Sequence, residues 1–263
     1  QSAGVKPDQV SQAKRTASEG GLGATGHQAS ATHAADPKKN ATCTSTCHSI
    51  NFALGSESVS HTDFSLPGPF PVEWTRTYNS RLGAYDHSEL GARWINEFTT
   101  RFDCVEDGVM FHAADGRSRA YPLPKVGLFH YDAIENITLV RSGEDQLLLC
   151  RGFERKETYV RHGQRFVLTN TSLRNGAGIM LHYEHRHGEQ SVLSDLISYQ
   201  ENDISKVHLH LGTMIDDHGR LIGLWQIVDG APLRQLCAYQ YDAYGDLIQA
   251  QDENGAVWSY QYQ

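Results

Sequence analysis

The chain has 263 residues, 39% hydrophobic and 21% charged, with a formal net charge of −8. That length holds one large β domain or two smaller ones, and an acidic balance without a basic block excludes a nucleic-acid-binding face, which needs clustered Lys and Arg against phosphate. No stretch approaches the ~20 apolar residues of a membrane helix, and no charged start with an apolar run marks a secretory signal.

Residues 1–40 are rich in Gly, Ala, Ser, Thr and Lys and contain no aromatic residue. Such a segment cannot bury enough apolar surface to offset its ordering entropy, so it reads as a flexible linker or a stretch ordered by a partner. Gly21, Gly23 and Gly26 match a phosphate-loop spacing, but no strand precedes them and residues 29–35 are a weak helix at best, so the match reads as linker. The first residue is Gln1 and the last is Gln263, inside an alternating run. Both ends are expected to be cuts in a longer polypeptide.

From Cys43 the texture changes. Residues 49–60 alternate weakly, and 61–66 lead into Pro67-Gly68-Pro69, which must end any strand and turn the chain. From Val72 a period-2 pattern places Val72, Trp74, Arg76 and Tyr78 on one face. Residues 94–102 read as another strand. Shorter strand candidates follow at 109–112, 147–151, 158–161, 165–169, 179–185, 206–211, 221–227, 236–241 and 257–262. Asx-Gly or His-Gly pairs stand between many of them and supply the positive φ of tight hairpins. The 12 Tyr and the common Val, Ile and Thr suit half-buried pleated surfaces. The expected fold is therefore all-β, an array of antiparallel meanders.

The most specific local signal is Tyr241-Asp242-Ala243-Tyr244-Gly245-Asp246-Leu247-Ile248. A strand ends in Tyr-Asp, a turn passes through Gly245, and the next strand restarts at Leu247. Gly255 marks another turn ten residues later. Weaker echoes are Asp216-Asp217-His218-Gly219-Arg220-Leu221 and Asp115-Gly116-Arg117. This run resembles the YD repeat of bacterial Rhs proteins. Independently, the segment from Asp63 to Ser80, with Pro67, Gly68, Pro69, Trp74, Arg76 and Tyr78, is similar to the entry segment of that family, DFxLPGPLPLxWxRxYxS. The preceding Cys47-His48-Ser49-Ile50-Asn51-Phe52-Ala53-Leu54-Gly55 is similar to the family's HPVxxATG stretch and departs from it at Ser49, Ile50 and Leu54.

The resemblance implies an organisation of three parts: the linker 1–40, an entry or plug-like β region 41–120, and the start of a YD-repeat shell over 121–263. It further implies a structural and delivery role rather than an enzyme. Rhs proteins enclose a C-terminal toxin in a spiralling β-sheet. Many are made in the bacterial cytoplasm and exported by a type VI secretion system, on a VgrG spike, with a PAAR domain and an Eag-type chaperone. The expected partners are these, with the remaining shell and the toxin domain. Some members are cut just before a proline near the shell's start, which makes the bond between Asp36 and Pro37 the expected cleavage point.

Other chemistry in the sequence is weaker. Cys43, Cys47 and His48 have zinc-ligand types, but no second close pair follows. His182, His185 and His187 on one run and His208 and His210 on another form a second metal candidate, against a plainer reading as polar strand faces. No cofactor and no metal is expected. The five cysteines are odd in number and scattered, a poor disulfide framework. Two rival readings remain: a surface carbohydrate-binding or adhesive module using its aromatics, and a self-cleaving or metal-dependent hydrolase.

Overall fold

A computed structural model describes residues 29–33, 49–51, 56–188 and 190–262. Asp36 and Pro37, together with Cys43, Cys47 and His48, lie outside those residues. The described residues form strands, short turns of 3-10 helix and loops, with no α-helix among them and so no helix long and apolar enough to cross a membrane.

Strand β1 (Ala29–His33) comes first, then a small antiparallel sheet of β2 (Ser49–Asn51), β3 (Ser56–Leu66), β4 (Val72–Asn79) and β5 (Trp94–Asn96), paired in that order. A three-stranded meander follows: β6 (Arg101–Val105), β7 (Gly108–His112) and β8 (Ser118–Tyr121). Next run β9 (Phe129–Asp132), β10 (Ile137–Gly143), β11 (Gln146–Arg151), β12 (Arg155–His162), β13 (Arg165–Leu173) and β14 (Gly178–His182). A side hairpin, β15 (His185–His187) with β16 (Gln190–Val192), interrupts the series. The chain returns through β17 (Asp195–Gln200), β18 (Asp203–Ile215), β19 (Leu221–Val228), β20 (Ala231–Tyr241), β21 (Leu247–Gln251) and β22 (Val257–Tyr262).

The main sheet runs β1-β22-β21-β20-β19-β18-β17-β14-β13-β12-β11-β10-β9, every neighbour antiparallel. It forks at β13. Arg165–Val167 pair with β6, whereas Asn170–Ser172 pair with β14. The β6–β8 meander thus leaves the main sheet as a second layer. One continuous core runs beneath, from Leu147, Leu149 and Tyr159 through Phe166 and Ile179 to Leu211, Leu224, Leu236 and Leu247. These residues alternate along their strands, and each such side chain buried contributes roughly 1.5–3 kcal/mol.

Several expectations need correction. Residues 94–102 are not one strand. The Asn96 side chain accepts the N–H groups of Phe98 and Thr99, which winds Glu97–Thr99 into a 3-10 turn between β5 and β6. Residues 29–33 are a strand on β22, not a weak helix, because the open edge of β22 offers them a ladder. Strands β8, β9 and β10 were not among those expected: β8 and β9 have only four residues each, and β10 alternates clearly only over Ile137 to Val140. Pro232 sits inside β20, where a register shift opposite Gln226 and Ile227 removes the need for its missing N–H.

Candidate functional site

The entry segment folds as its alternation requires: Val72, Trp74, Arg76 and Tyr78 all lie on the buried face of β4. Asp63 joins them because a bulge in β3, between Thr62 and Phe64, leaves it without a cross-strand partner and turns it inward beside Phe64. Arg76 Nε donates to Asp63 Oδ2 at 2.6 Å and Nη2 to Oδ1 at 2.8 Å, with both side chains 0% exposed. Burial works against the guanidinium charge, but Asp63 alongside outweighs it and holds Arg76 well above its usual range.

The opposite wall of this clamp comes from the end of the chain. Tyr239 on β20 donates its hydroxyl to Asp63 and accepts Trp74 Nε1 at 2.8 Å. Tyr260 accepts from Arg76 Nη2 at 3.4 Å, and Tyr262 accepts Trp94 Nε1 at 2.9 Å. The guanidinium carbon of Arg76 lies 4.9 Å from the Trp94 ring centre and 5.0 Å from that of Tyr239. Arg76 Nη1 makes no hydrogen bond. His61, 4.4 Å from Trp258, is pushed down to about 4 by burial first and by Arg76 second. The Pro67-Gly68-Pro69 turn reaches the main sheet as well. A Cβ on Gly68 would stand 2.9 Å from His208 Nε2, and Asn175 Nδ2 contacts the Pro69 carbonyl at 3.5 Å. With no solvent access to Asp63 or Arg76, the clamp cannot receive a substrate. It can hold one sheet on another.

The repeat is a single turn geometry used again and again. At Asp216, Asp242 and Asp252 the aspartate N–H donates to the carbonyl four residues on, and the glycine N–H three residues on donates back to the aspartate carbonyl. In each, Oδ1 of the aspartate also accepts the N–H groups two and four residues on. Gly219, Gly245 and Gly255 close the three turns with φ of 76°, 92° and 81°. The expected echo at Asp115 differs. The same backbone turn begins at Ala113, and Asp115 caps it from the middle, as Asn175 does in the turn from Leu173.

Each aspartate turn, or the strand just after it, makes one backbone hydrogen bond to the entry region: Leu221 N–H to Glu89, Ala92 N–H to Gly245, and Glu253 N–H to Asp63. The two sequence signals are therefore bound to each other.

Beside this seam lies a cleft of about 570 Å³, walled by Tyr85, Glu89, Arg101, His162, Arg165 and Tyr183 among others. The half-buried Glu89 carboxyl is raised to about 7, chiefly by burial, with Arg101 and Arg165 pulling the other way. Arg101 stacks on Tyr85 at 4.1 Å and bonds Asp103, which is held at about 2 by His112 and Arg101 against its burial. None of these residues stood out in the sequence, because they are drawn from positions 85 to 183 and share no motif. A carboxyl displaced toward neutrality in a polar cleft is a mark of functional sites.

Next to the cleft, Ser118 Oγ lies 2.8 Å from His112 Nδ1, and His112 Nε2 lies 3.0 Å from Asp103 Oδ2. The connectivity is that of an acyl-transfer triad. Yet His112 is 3% exposed beneath Tyr85, and Ser118 sits opposite it in a regular strand pair rather than at a turn presenting free amides to an oxyanion. The row reads as a cross-strand hydrogen-bond chain. The histidines singled out earlier do not converge. His210 bonds Asp195 at 2.7 Å, and His185 bonds the Thr213 carbonyl at 3.0 Å. Among the described residues no three His, Cys, Asp or Glu side chains are grouped for a metal. Cys104, Cys150 and Cys237 are free thiols. Trp74 and Trp94 are buried, while Trp225 and Trp258 are half-buried.

Residues 47–121 match the family described as Domain of unknown function (DUF6531). A search of the curated proteins finds no match. Among solved structures, the chain is similar to a crystal structure of TcdB2-TccC3-Cdc42, at 11% identity and a TM-score of 0.44, covering 76% of this chain and 15% of that one. It is also similar to the N-terminal domain of effector protein SpvB from Salmonella typhimurium strain LT2, at 10% identity and a TM-score of 0.40, covering 77% of this chain and 98% of that one.

Proposed function

We propose that the chain is the N-terminal structural and delivery module of an Rhs-type effector, acting by encapsulation and docking rather than by turnover of its own. The observation that carries this reading is the joint between the entry segment and the aspartate turns. The small sheet carries a buried ion pair of its own, and it and the loop after β4 are fastened to the larger sheet and its turns by tyrosine hydroxyls gathered on that pair and by three backbone bonds. A plug held on a growing shell needs such a joint. On this reading the larger sheet continues into a shell around a C-terminal toxin. The whole is made in the bacterial cytoplasm and leaves through a type VI secretion system, with a VgrG spike, a PAAR domain and an Eag-type chaperone as partners.

The test is a pull-down from lysate of the native host with this chain as bait, the bound proteins identified by mass spectrometry. Recovery of the spike, the chaperone or the remaining shell is expected. A folded chain that recovers none of them and instead binds defined glycans on an array overturns the proposal in favour of an adhesive module.

A further inference from the structure

One edge of the main sheet is β9, and there several large apolar side chains are exposed together. Among the described residues β9 pairs with β10 alone, leaving one row of backbone N–H and C=O groups unpaired. Phe129 is 67% exposed and Ile134 is 91% exposed, with Val126, Leu128 and Tyr131 also at the surface. On the outer face Phe129 stands across from Val140, and Val140 across from Leu148, so the patch extends inward from the edge over half-buried apolar side chains. The inner face is already occupied, because Tyr121 bonds Asp132 and packs near His130. Only the edge and the outer face are open.

We propose that this edge is the pairing surface for β9 of a second copy of the chain, antiparallel about a two-fold axis at His130. Most facing pairs across that axis match, and Leu128 falls opposite Asp132, whose carboxylate takes the Tyr121 hydroxyl. Phe129 meets Tyr131 of the other copy, an aromatic pair across strands. The turn holding Val126 and Gly127 lies against the turn holding Ala133 and Ile134, so apolar meets apolar and small meets small. Lys125 lies toward Glu135, whose carboxylate Arg119 of its own chain already holds, so the ends of the joint add no unpaired charge. An isologous contact repeats every such pair twice. Shifting the axis by half a residue sets Phe129 against Asp132 and loses these matches. β9 has only four residues, so the ladder is short and the dimer is weak, dissociating on dilution.

The test is sedimentation velocity of the whole chain across a concentration series, with circular dichroism to confirm that each variant is folded. A reversible monomer–dimer equilibrium is expected. Phe129→Lys, at an exposed site, abolishes it. Tyr131→Glu, also at an exposed site, weakens it at least tenfold, and mixing it one to one with Phe129→Lys restores association, because one facing pair is then Lys against Glu and the other Phe against Tyr. A chain that stays monomeric at every concentration overturns the proposal. So does a dimer indifferent to Phe129→Lys, or a pair of charge variants no stronger mixed than apart.

Discussion

Replacing Asp63 by Asn keeps the shape of the clamp and removes one charge. Arg76 is then a guanidinium with no counter-charge, fully enclosed between Trp94 and Tyr239. Breaking a buried pair from one side costs about 3–5 kcal/mol, because the remaining ion has lost both its partner and its water. Against a total stability of about 5–15 kcal/mol for a domain, that is a large share. The double variant Asp63→Leu with Arg76→Leu removes both charges and should be the less damaging change. Its residual cost is chiefly that of the Tyr239 and Tyr260 hydroxyls losing partners, about 1–3 kcal/mol for each buried group left unsatisfied. Urea unfolding followed by tryptophan fluorescence reads this directly, since Trp74 and Trp94 are buried within the clamp. An Asp63→Asn protein within about 1 kcal/mol of the parent, or a double variant worse than either single one, would refute the reasoning, because both would mean that the pair is not the enclosed contact described.

Four further outcomes are expected. Gly245→Ala places a side chain at φ 92° with its nearest neighbour 3.7 Å away, so the loss measured by urea unfolding is purely conformational, about 1–2 kcal/mol. Asp242→Ala removes two N–H bonds from the same turn and costs a comparable amount. Gly178→Ala is harsher, since a Cβ there meets the Thr171 carbonyl at 2.7 Å and the Tyr199 ring closer still; a clear drop in thermal midpoint is expected, relieved in part by Tyr199→Leu. For Glu89, unfolded at 4.5 and folded at about 7, the native state holds an extra proton between those values, so this group makes stability fall as pH rises from 4.5 to 7. His61 slopes the opposite way over much of that window, because its folded value of about 4 lies below the unfolded 6.5 and stability is lost as pH falls. The difference between parent and Glu89→Gln isolates the glutamate: the variant should gain on the parent by up to about 3 kcal/mol between pH 4.5 and 7, and a pH-independent difference would contradict the burial of that carboxyl.

The all-β class, the inward face of β4 and the turn at Gly245 were legible from residue order, because each depends on neighbours within a few positions. Alternation at period two decides which side of a strand is apolar, and Asp-x-x-Gly decides a turn through one side chain and one positive φ. The Arg76 position was marked as structural by the same alternation. Its partner was not readable as such, since Asp63 faces inward only because a bulge in β3 removes one step of the alternation.

What tertiary structure alone decided is where distant strands meet. The fork at β13 follows from one strand edge being shared by β6 and β14, and no local pattern encodes a shared edge. The docking of Tyr239, Tyr260 and Tyr262 onto Trp74, Arg76 and Trp94 joins segments more than 140 residues apart. The cleft at Glu89 exists because loops and strands from five stretches of chain converge there, and the carboxyl is raised chiefly by the burial that this convergence brings. Sequence by itself determined the fold class, most of the strands and the turn chemistry, which are short-range steric and hydrogen-bond choices. The joint and the cleft were decided by burial, a property of the whole surface rather than of any stretch of chain.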